Sequence, residues 1–289
     1  MPSQPIFRFA PSPNGYLHLG HAYSALFTQR AAATVDGVTL LRIEDIDVTR
    51  CKPEFDTAIR EDLEWLGYPF PEPVMRQSER FPIYEATAAK LRQAGLIYPC
   101  FCSRAEIAAQ ATERDPEGAP LYPGTCRHLA PAEVETRLAA GHPVQWRLNM
   151  QLAQEEIGDI LVIRECPVTD CDVLFSEERP RPCEPGRWGD VVLVRKETPT
   201  SYHLSVVVDD AEQGVTHVTR GMDLHAATDI HVLLQALLGL PSPLYAHHGL
   251  ITDGLDMKLS KSDGVQPLRA LRESGWSSEQ VWRRLGFAD

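Results

Sequence analysis

Two short segments near opposite ends of the chain carry residue types suited to phosphate chemistry: His18-Leu19-Gly20-His21 and Lys258-Leu259-Ser260-Lys261-Ser262. Imidazole N–H groups donate hydrogen bonds to phosphate oxygens and ammonium groups neutralise them, so two of each converging on a polyphosphate suit ATP-dependent activation of a carboxylate. Alone, His-x-x-His more often marks an ordinary surface or core pair, and serine-flanked lysines are common solvated charge. The context sharpens both. Pro5 to Ala10 reads as a short buried strand, Pro11-Ser12-Pro13-Asn14-Gly15 as a turn, and His18 to Val35 as a helix. A strand, a glycine-bearing turn and a helix N-terminus form an anion site, because unpaired backbone N–H groups and the helix dipole both favour phosphate.

The elements that must hold such a site follow in βαβα order. Gly37 stops the first helix, Val38 to Glu44 reads as a second buried strand, and Pro53 opens a helix over Glu54 to Leu66 that Gly67 closes. A further helix from Glu79 to Gln93, ending at Gly95, would bury Ile83, Ala86 and Leu91. The alternation breaks at Ile97, where a cysteine cluster, a capping-box pattern at Ser103 to Glu106 and a Pro/Glu/Arg-rich stretch from Ser176 to Gly186 indicate an insertion. From Asp190 strands are expected at Val191 to Arg195, Leu204 to Asp209 and Val215 to Arg220, then a helix from Asp223 to Leu238 ended by Gly239. A strand from Leu244, the lysine loop and two short helices, Pro267 to Glu273 and Ser278 to Leu285, complete the pattern.

The expected fold is α/β: a Rossmann-like doubly wound parallel sheet with an inserted α+β subdomain and a short C-terminal helical segment, its ligands at the carboxyl ends of the strands. The expected division is 1–96 for the first half of the Rossmann-like domain, 97–187 for the insertion, 188–243 for the second half and 244–289 for the lysine loop and helical segment.

Composition narrows the function class. The 289 residues are 43% apolar and 24% charged, ordinary for a globular protein, with no apolar run long enough to span a bilayer and no charged-then-apolar leader. A cytoplasmic protein without a membrane partner is expected. A formal net charge of −12 excludes a general nucleic-acid coat, so any nucleic acid must be held by local basic patches, for which Arg127, Arg137 and Arg147 are candidates against a reading as solvated charge. Seven cysteines without an export signal argue for thiols or metal ligands, not a disulfide framework. Cys100, Cys102, Tyr122 and Cys126 offer three thiolates and a phenol, enough for one tetrahedral, structural zinc. The spacing is not a double Cys-x-x-Cys, and buried thiols that merely sit close are the alternative. Cys166, Cys171 and Cys183 fit no common ligand spacing and read as free thiols.

The two terminal segments match the signature sequences of the class I aminoacyl-tRNA synthetases, with Leu259 standing where methionine is usual. Arg8-Phe9-Ala10-Pro11-Ser12-Pro13-Asn14-Gly15, Leu41-Arg42-Ile43-Glu44-Asp45-Ile46-Asp47, Val206-Val207-Val208-Asp209-Asp210 and Thr216-His217-Val218-Thr219-Arg220-Gly221 resemble glutamyl-tRNA synthetase over nearly the whole chain. Only Asp263 to Asp289 follow the lysine loop, too few for an anticodon-reading helical domain. A core of this length with a cysteine-bearing insertion is similar to the glutamyl-Q tRNA(Asp) synthetases.

That resemblance implies an ATP-dependent ligase that activates L-glutamate to glutamyl-adenylate without tRNA and transfers it to queuosine at the wobble position of tRNA(Asp). It implies Mg2+ accompanying ATP, and it strengthens zinc at Cys100, Cys102, Tyr122 and Cys126. It implies that Arg8, Phe9, Ala10, Pro11, Ser12, Glu44, Tyr202 and Arg220 bind glutamate, and that His18, Gly20, His21, Lys258 and Lys261 bind ATP. Within the ATP set, His18, His21, Lys258 and Lys261 are the catalytic groups. The chemistry agrees: guanidinium groups pair with carboxylates and a carboxylate pairs with an ammonium, while Arg8, Arg220 and Tyr202 could also be structural. The segment Met222 to His231 departs from the usual pattern beside these pockets. Two other readings stand beside this one: a minimal glutamyl-tRNA synthetase charging the 3′ end of tRNA(Glu), and a non-catalytic glutamate-binding module. A monomer is expected.

Overall fold

The first strand, turn and helix show why the elements form where they do. β1 (Ile6–Phe9) leads through the proline-rich turn into α1 (Leu19–Thr34). The two histidines cap that helix themselves: His18 Nδ1 accepts the Gly20 N–H at 3.1 Å, and His21 Nδ1 accepts the His18 N–H at 3.2 Å. Two amide donors that a helix start would leave open are thereby satisfied. The computed structural model describes residues 4–251 and 266–288.

β2 (Val38–Ile43), α2 (Pro53–Leu66), β3 (Met75–Arg76) and α3 (Phe81–Gln93) follow. Pro53 in the first turn and Gly67 at φ 73° bound α2, as proline and glycine do at helix ends. α3 begins after a 3₁₀ turn and buries Tyr84, Ala88 and Leu91; Ile83 and Ala86 face outward. This corrects the expected face. The Tyr84 hydroxyl donates to the buried Asp209 carboxylate at 2.8 Å, which fixes the rotation of the helix.

The chain then makes β4 (Ile97–Cys100), α4 (Arg104–Gln110), α5 (Pro131–Ala139), β5 (Gln145–Leu148) and α6 (Met150–Ile157). Four two-residue strands come next: β6 (Val162–Ile163), β7 (Val168–Thr169), β8 (Asp172–Val173) and β9 (Arg181–Pro182). β10 (Val192–Val194), α7 (Tyr202–Glu212), β11 (His217–Gly221), α8 (Thr228–Leu238), β12 (Leu244–His248), α9 (Leu268–Glu273) and α10 (Ser278–Arg284) complete the described elements.

Parallel pairing dominates around the site. β1 pairs with β2 and β2 with β3, and β11 pairs with β12 with Arg220 opposite His247. β11 lies against β1, where the Thr216 N–H donates to the Ile6 carbonyl at 3.0 Å. Arg8, on β1, and Arg220, on β11, therefore stand on neighbouring strands, as an α/β ligand crevice requires.

Two strand expectations change. Leu204 to Asp209 lies in α7, capped by Ser201, and every residue from Leu204 to Asp210 is buried. A helix buried on all sides loses its polar stripe, and its Val206-Val207-Val208 run then reads as a strand. β10 does not rejoin the parallel sheet; it pairs antiparallel with β5, which pairs antiparallel with β4. The helix expected from Asp223 opens with a 3₁₀ turn and is α-helical from Thr228.

One core packs Phe7, Phe27, Leu41 and Leu63 with Leu268 and Val281 of the C-terminal helices. A second joins Tyr84 and Leu91 to Leu148 and Leu193 of the antiparallel sheet and to Leu204 and Leu233 of α7 and α8. Among the described residues no helix is long and apolar enough to cross a membrane.

Candidate active site

A cavity of about 490 Å³ opens between β1, β11 and the start of α1. Arg8, Phe9, Ala10, Pro11, Ser12, Glu44, Tyr202 and Arg220 all line it, together with His18, Gly20 and His21. The sequence-derived pocket residues are thus brought together by elements up to two hundred residues apart. Lys258 and Lys261 lie outside the described residues.

The caps on α1 set the imidazole tautomers. His18 Nδ1 and His21 Nδ1 each accept a backbone N–H, so in the neutral ring the proton sits on Nε2 and can be donated. Gly20 is small for a reason: a Cβ there would come within 3.1 Å of the His18 ring.

The two pocket arginines sit in opposite electrostatic settings. Arg8 Nε donates to Asp210 Oδ1 at 2.9 Å, and the fully buried Arg42 donates to the same oxygen at 2.7 Å and to Glu44 Oε1 at 3.1 Å. Burial pushes the Asp210 carboxyl up, but Arg8 and Arg42 outweigh it and hold it below the ordinary range. For Glu44 burial wins over Arg42 and Arg8, and its carboxyl is raised. Burial likewise raises the Tyr202 phenol.

Among the described residues Arg220 has only neutral hydrogen-bond partners. Its Nε donates to His247 Nε2 at 3.2 Å, Nη1 to His231 Nδ1 at 3.0 Å and Nη2 to Thr228 Oγ1 at 2.6 Å. Burial, then the Arg220 charge, holds His231 well below its ordinary value. Burial takes His247 down to about 4 against the pull of Glu165. Both rings are neutral near pH 7, and among the described residues no carboxylate stands within 4 Å of the Arg220 guanidinium. A buried cation without a counter-ion can receive a carboxylate. Thr228 and His231 belong to the atypical segment noted in the sequence, so the departure supplies two of the three Arg220 partners.

A second cavity of about 430 Å³ adjoins the first and shares Ser12, Glu44 and Tyr202 with it. Its far wall carries Tyr122 and Arg147 of the insertion and Trp188 and Arg195 just beyond it.

In the insertion Cys100, Cys102 and Cys126 converge, with sulfur atoms within 4.8 Å of one another. Cys102 Sγ lies 3.5 Å from Cys126 Sγ and 3.9 Å from the Tyr122 hydroxyl. The Phe101 N–H donates to Cys126 Sγ and the Gln145 amide to Cys100 Sγ, both at 3.5 Å, the pattern that stabilises thiolates. Burial opposes ionisation of Cys100, yet hydrogen bonds from Tyr122, Gln145 and Arg147 bring its thiol below the ordinary value. The donor set fits one tetrahedral zinc. Cys166, Cys171 and Cys183 do not converge: Cys183 donates to the Asp229 carbonyl at 3.2 Å and Cys171 to the Leu285 carbonyl at 3.8 Å.

Arg127, Arg137 and Arg147 have protein partners. Arg127 Nε bonds the buried Asp190 at 2.8 Å, Arg147 donates to the Asp190 carbonyl at 2.7 Å, and Arg137 pairs with Glu133 at 2.6 Å. Glu165, His225 and His247 also come within 4.8 Å of one another. Arg181 donates to Glu165 Oε2 at 3.0 Å and Arg220 to His247, so a metal cation there would face two guanidinium groups.

The sequence reading missed Glu165, His231 and His247. Each is a single residue without a local pattern: the pairing of β11 with β12 sets His247 opposite Arg220, α8 brings His231 to it, and Glu165 joins through His247.

Comparison with known proteins agrees with this geometry. Residues 6–287 match the family of tRNA synthetases class I (E and Q), catalytic domain. The chain is 46% identical to a glutamyl-Q tRNA(Asp) synthetase of Rhodobacter capsulatus, across 98% of this chain and 100% of that one. It is 39% identical to a glutamate–tRNA ligase of Aquifex aeolicus, across 96% of this chain and 56% of that one. The crystal structure of a glutamate tRNA ligase from Elizabethkingia meningosepticum in complex with its amino acid superposes with a TM-score of 0.71 at 28% identity, covering 95% of this chain and 54% of that one. The chain thus spans about half the length of these two glutamate–tRNA ligases.

Proposed function

This chain belongs to the class I tRNA synthetases (E and Q) through their catalytic domain, and we propose that it activates L-glutamate with ATP and transfers it to queuosine at the wobble position of tRNA(Asp). The observation that carries the reading is the convergence of Arg8, Glu44, Tyr202, Arg220, His18 and His21 on one cavity, in a chain that matches a glutamyl-Q tRNA(Asp) synthetase along that protein's whole length.

In this reading Arg220, the cation without a counter-ion, binds one glutamate carboxylate, and Glu44 serves the ammonium. Arg8, braced by Asp210, and Ser12 and Tyr202 orient the substrate, with Phe9, Ala10 and Pro11 forming the floor. The α-carboxylate attacks the α-phosphorus of ATP in line, and the bond to pyrophosphate breaks. His18 and His21 donate Nε2–H to phosphate oxygens as charge builds, Gly20 lets the phosphates approach the helix start, and Lys258 and Lys261 neutralise the departing pyrophosphate. Mg2+ accompanies the ATP phosphates. An acceptor hydroxyl of the modified base, entering through the second cavity, then attacks the activated carbonyl and AMP leaves.

Cys100, Cys102, Tyr122 and Cys126 would hold one zinc that cross-links β4 to the loop around Tyr122 and stiffens the wall of the acceptor cavity. The zinc-bearing segment is the inserted subdomain of the proposed 97–187 division. The protein is proposed to act as a cytoplasmic monomer.

The test is transfer of radiolabelled glutamate to tRNA(Asp) and tRNA(Glu), each with and without queuosine, followed by nuclease mapping. Label on the anticodon fragment of queuosine-containing tRNA(Asp) alone is expected. Label on the 3′ adenosine of tRNA(Glu) overturns the reading.

A further inference from the structure

Behind Arg220 stands a run of side chains that the proposed reaction does not use: Glu165, His247, His231 and His203. We propose that Glu165 and His203 are positioning residues, which act through His247 and His231 to keep Arg220 an oriented, uncompensated cation and so favour a carboxylate over a carboxamide in the pocket. The inference rests on the reading of Arg220 as a carboxylate-binding group.

A guanidinium only donates, so both imidazoles must turn a lone pair toward it. His247 does so at Nε2 and His231 at Nδ1. In each ring the other nitrogen then carries the proton and needs an acceptor. Glu165 Oε1 lies 2.6 Å from His247 Nδ1, and His203 Nδ1 lies 3.3 Å from His231 Nε2. Without these acceptors either ring can take the opposite tautomer and aim an N–H at the guanidinium, costing a hydrogen bond and repelling the charge.

Glu165 is itself held firmly. The Tyr245 N–H donates to the Arg164 carbonyl at 2.9 Å and the Cys166 N–H to the Tyr245 carbonyl at 2.8 Å, clamping its backbone to β12. Arg181 Nε donates to its Oε2 at 3.0 Å and His225 Nε2 lies 3.5 Å away. The carboxylate is therefore neutralised on its outer side and separated from Arg220 by the width of one imidazole. Arg220 feels a hydrogen-bond acceptor where a direct carboxylate partner would have cancelled its charge. A carboxylate ligand gains from that charge and a neutral amide does not.

The experiment measures glutamate-dependent ATP–pyrophosphate exchange by the full chain. Glu165→Leu and His203→Leu are expected to raise KM for glutamate about 10- to 100-fold, the worth of one hydrogen bond to a charged group, with KM for ATP little changed and weaker exclusion of glutamine. Glu165→Gln and His203→Asn, which keep an acceptor near the same atom, should recover most of that affinity. Leucine variants that bind glutamate like the native protein, or that raise both KM values equally, overturn the proposal, as do conservative variants no better than the leucine ones. The two sites lie on separate elements, so if one leucine variant fails to fold by circular dichroism the other decides. Arg220→Met is the control for the underlying reading: if it leaves KM for glutamate unchanged, the pocket assignment fails, whereas a large effect there with none at Glu165 and His203 sinks the positioning role alone.

Discussion

Replacing Asp62 by asparagine should remove a pH dependence of stability that the fold builds into the contact between α2 and α9. Asp62 is fully buried on α2, and neither carboxylate oxygen has a hydrogen-bond partner among the described residues. Arg272 of α9 approaches only to 3.6 Å. Burial raises the carboxyl from its ordinary 3.8 to about 6, with Arg272 opposing and Glu61 assisting. A group with a raised folded-state pKa contributes stability that is fully present below its unfolded value and is lost as pH rises through the folded one. Across the whole window the shift amounts to about 3 kcal/mol, and between pH 8 and pH 5 the native protein should recover about 1.4 kcal/mol of it. Asp62→Asn cannot ionise, so its stability advantage over the native protein should shrink by about 1.4 kcal/mol from pH 8 to pH 5. Its absolute advantage at pH 8 is smaller than the full shift, because the buried amide also lacks partners. Urea unfolding followed by tryptophan fluorescence at pH 5, 6, 7 and 8 reads the difference directly. Stability curves for the two proteins that run parallel over this range would refute the reasoning, since they would mean that Asp62 stays ionised or is hydrated in the native state.

Three further outcomes can be checked. His21→Ala removes a donor oriented by its bond to the His18 amide and should lower the turnover of pyrophosphate exchange about 100-fold, with glutamate affinity retained; full turnover would exclude the imidazole from the phosphate site. The purified protein should carry about one zinc per chain by mass spectrometry, and Cys126→Ser should lose it; equal metal content in both proteins would remove zinc from this cluster. Arg42→Met leaves Asp210 and Glu44 without their shared buried cation and should cost about 3–5 kcal/mol in urea unfolding, an effect below 1 kcal/mol being incompatible with the buried ion-pair geometry.

Local chemistry was what the sequence expressed most clearly. The helix over 53–66 could be bounded because Pro53 and Gly67 mark its ends by their own backbone limits, and the α4 capping box at Ser103 and Glu106 is a contact between residues three apart. The face of α3 was harder to read, since Tyr84 reaches Asp209 across 125 residues and that bond sets which side turns inward. α7 failed for a related reason. It is buried along Leu204 to Asp210, with Asp209 and Asp210 paired to buried partners, so Val206, Val207 and Val208 carry no periodic record of the helix, and its packing against the antiparallel sheet and α8 decides it.

The first strand, turn and helix and the cysteine cluster were legible in the letters alone, because their spacing is short or their residue types have few uses, while the candidate pocket residues came from the resemblance to a family. Which arginine stands without a carboxylate partner among the described residues followed from the packing of the chain in space. Arg8 and Arg220 are equivalent as letters, yet among the described residues Arg8 bonds Asp210 while the Arg220 guanidinium bonds His231, His247 and Thr228. That difference comes from which side chains the parallel strands place next to each guanidinium, and a buried charge takes its behaviour from its neighbours in space.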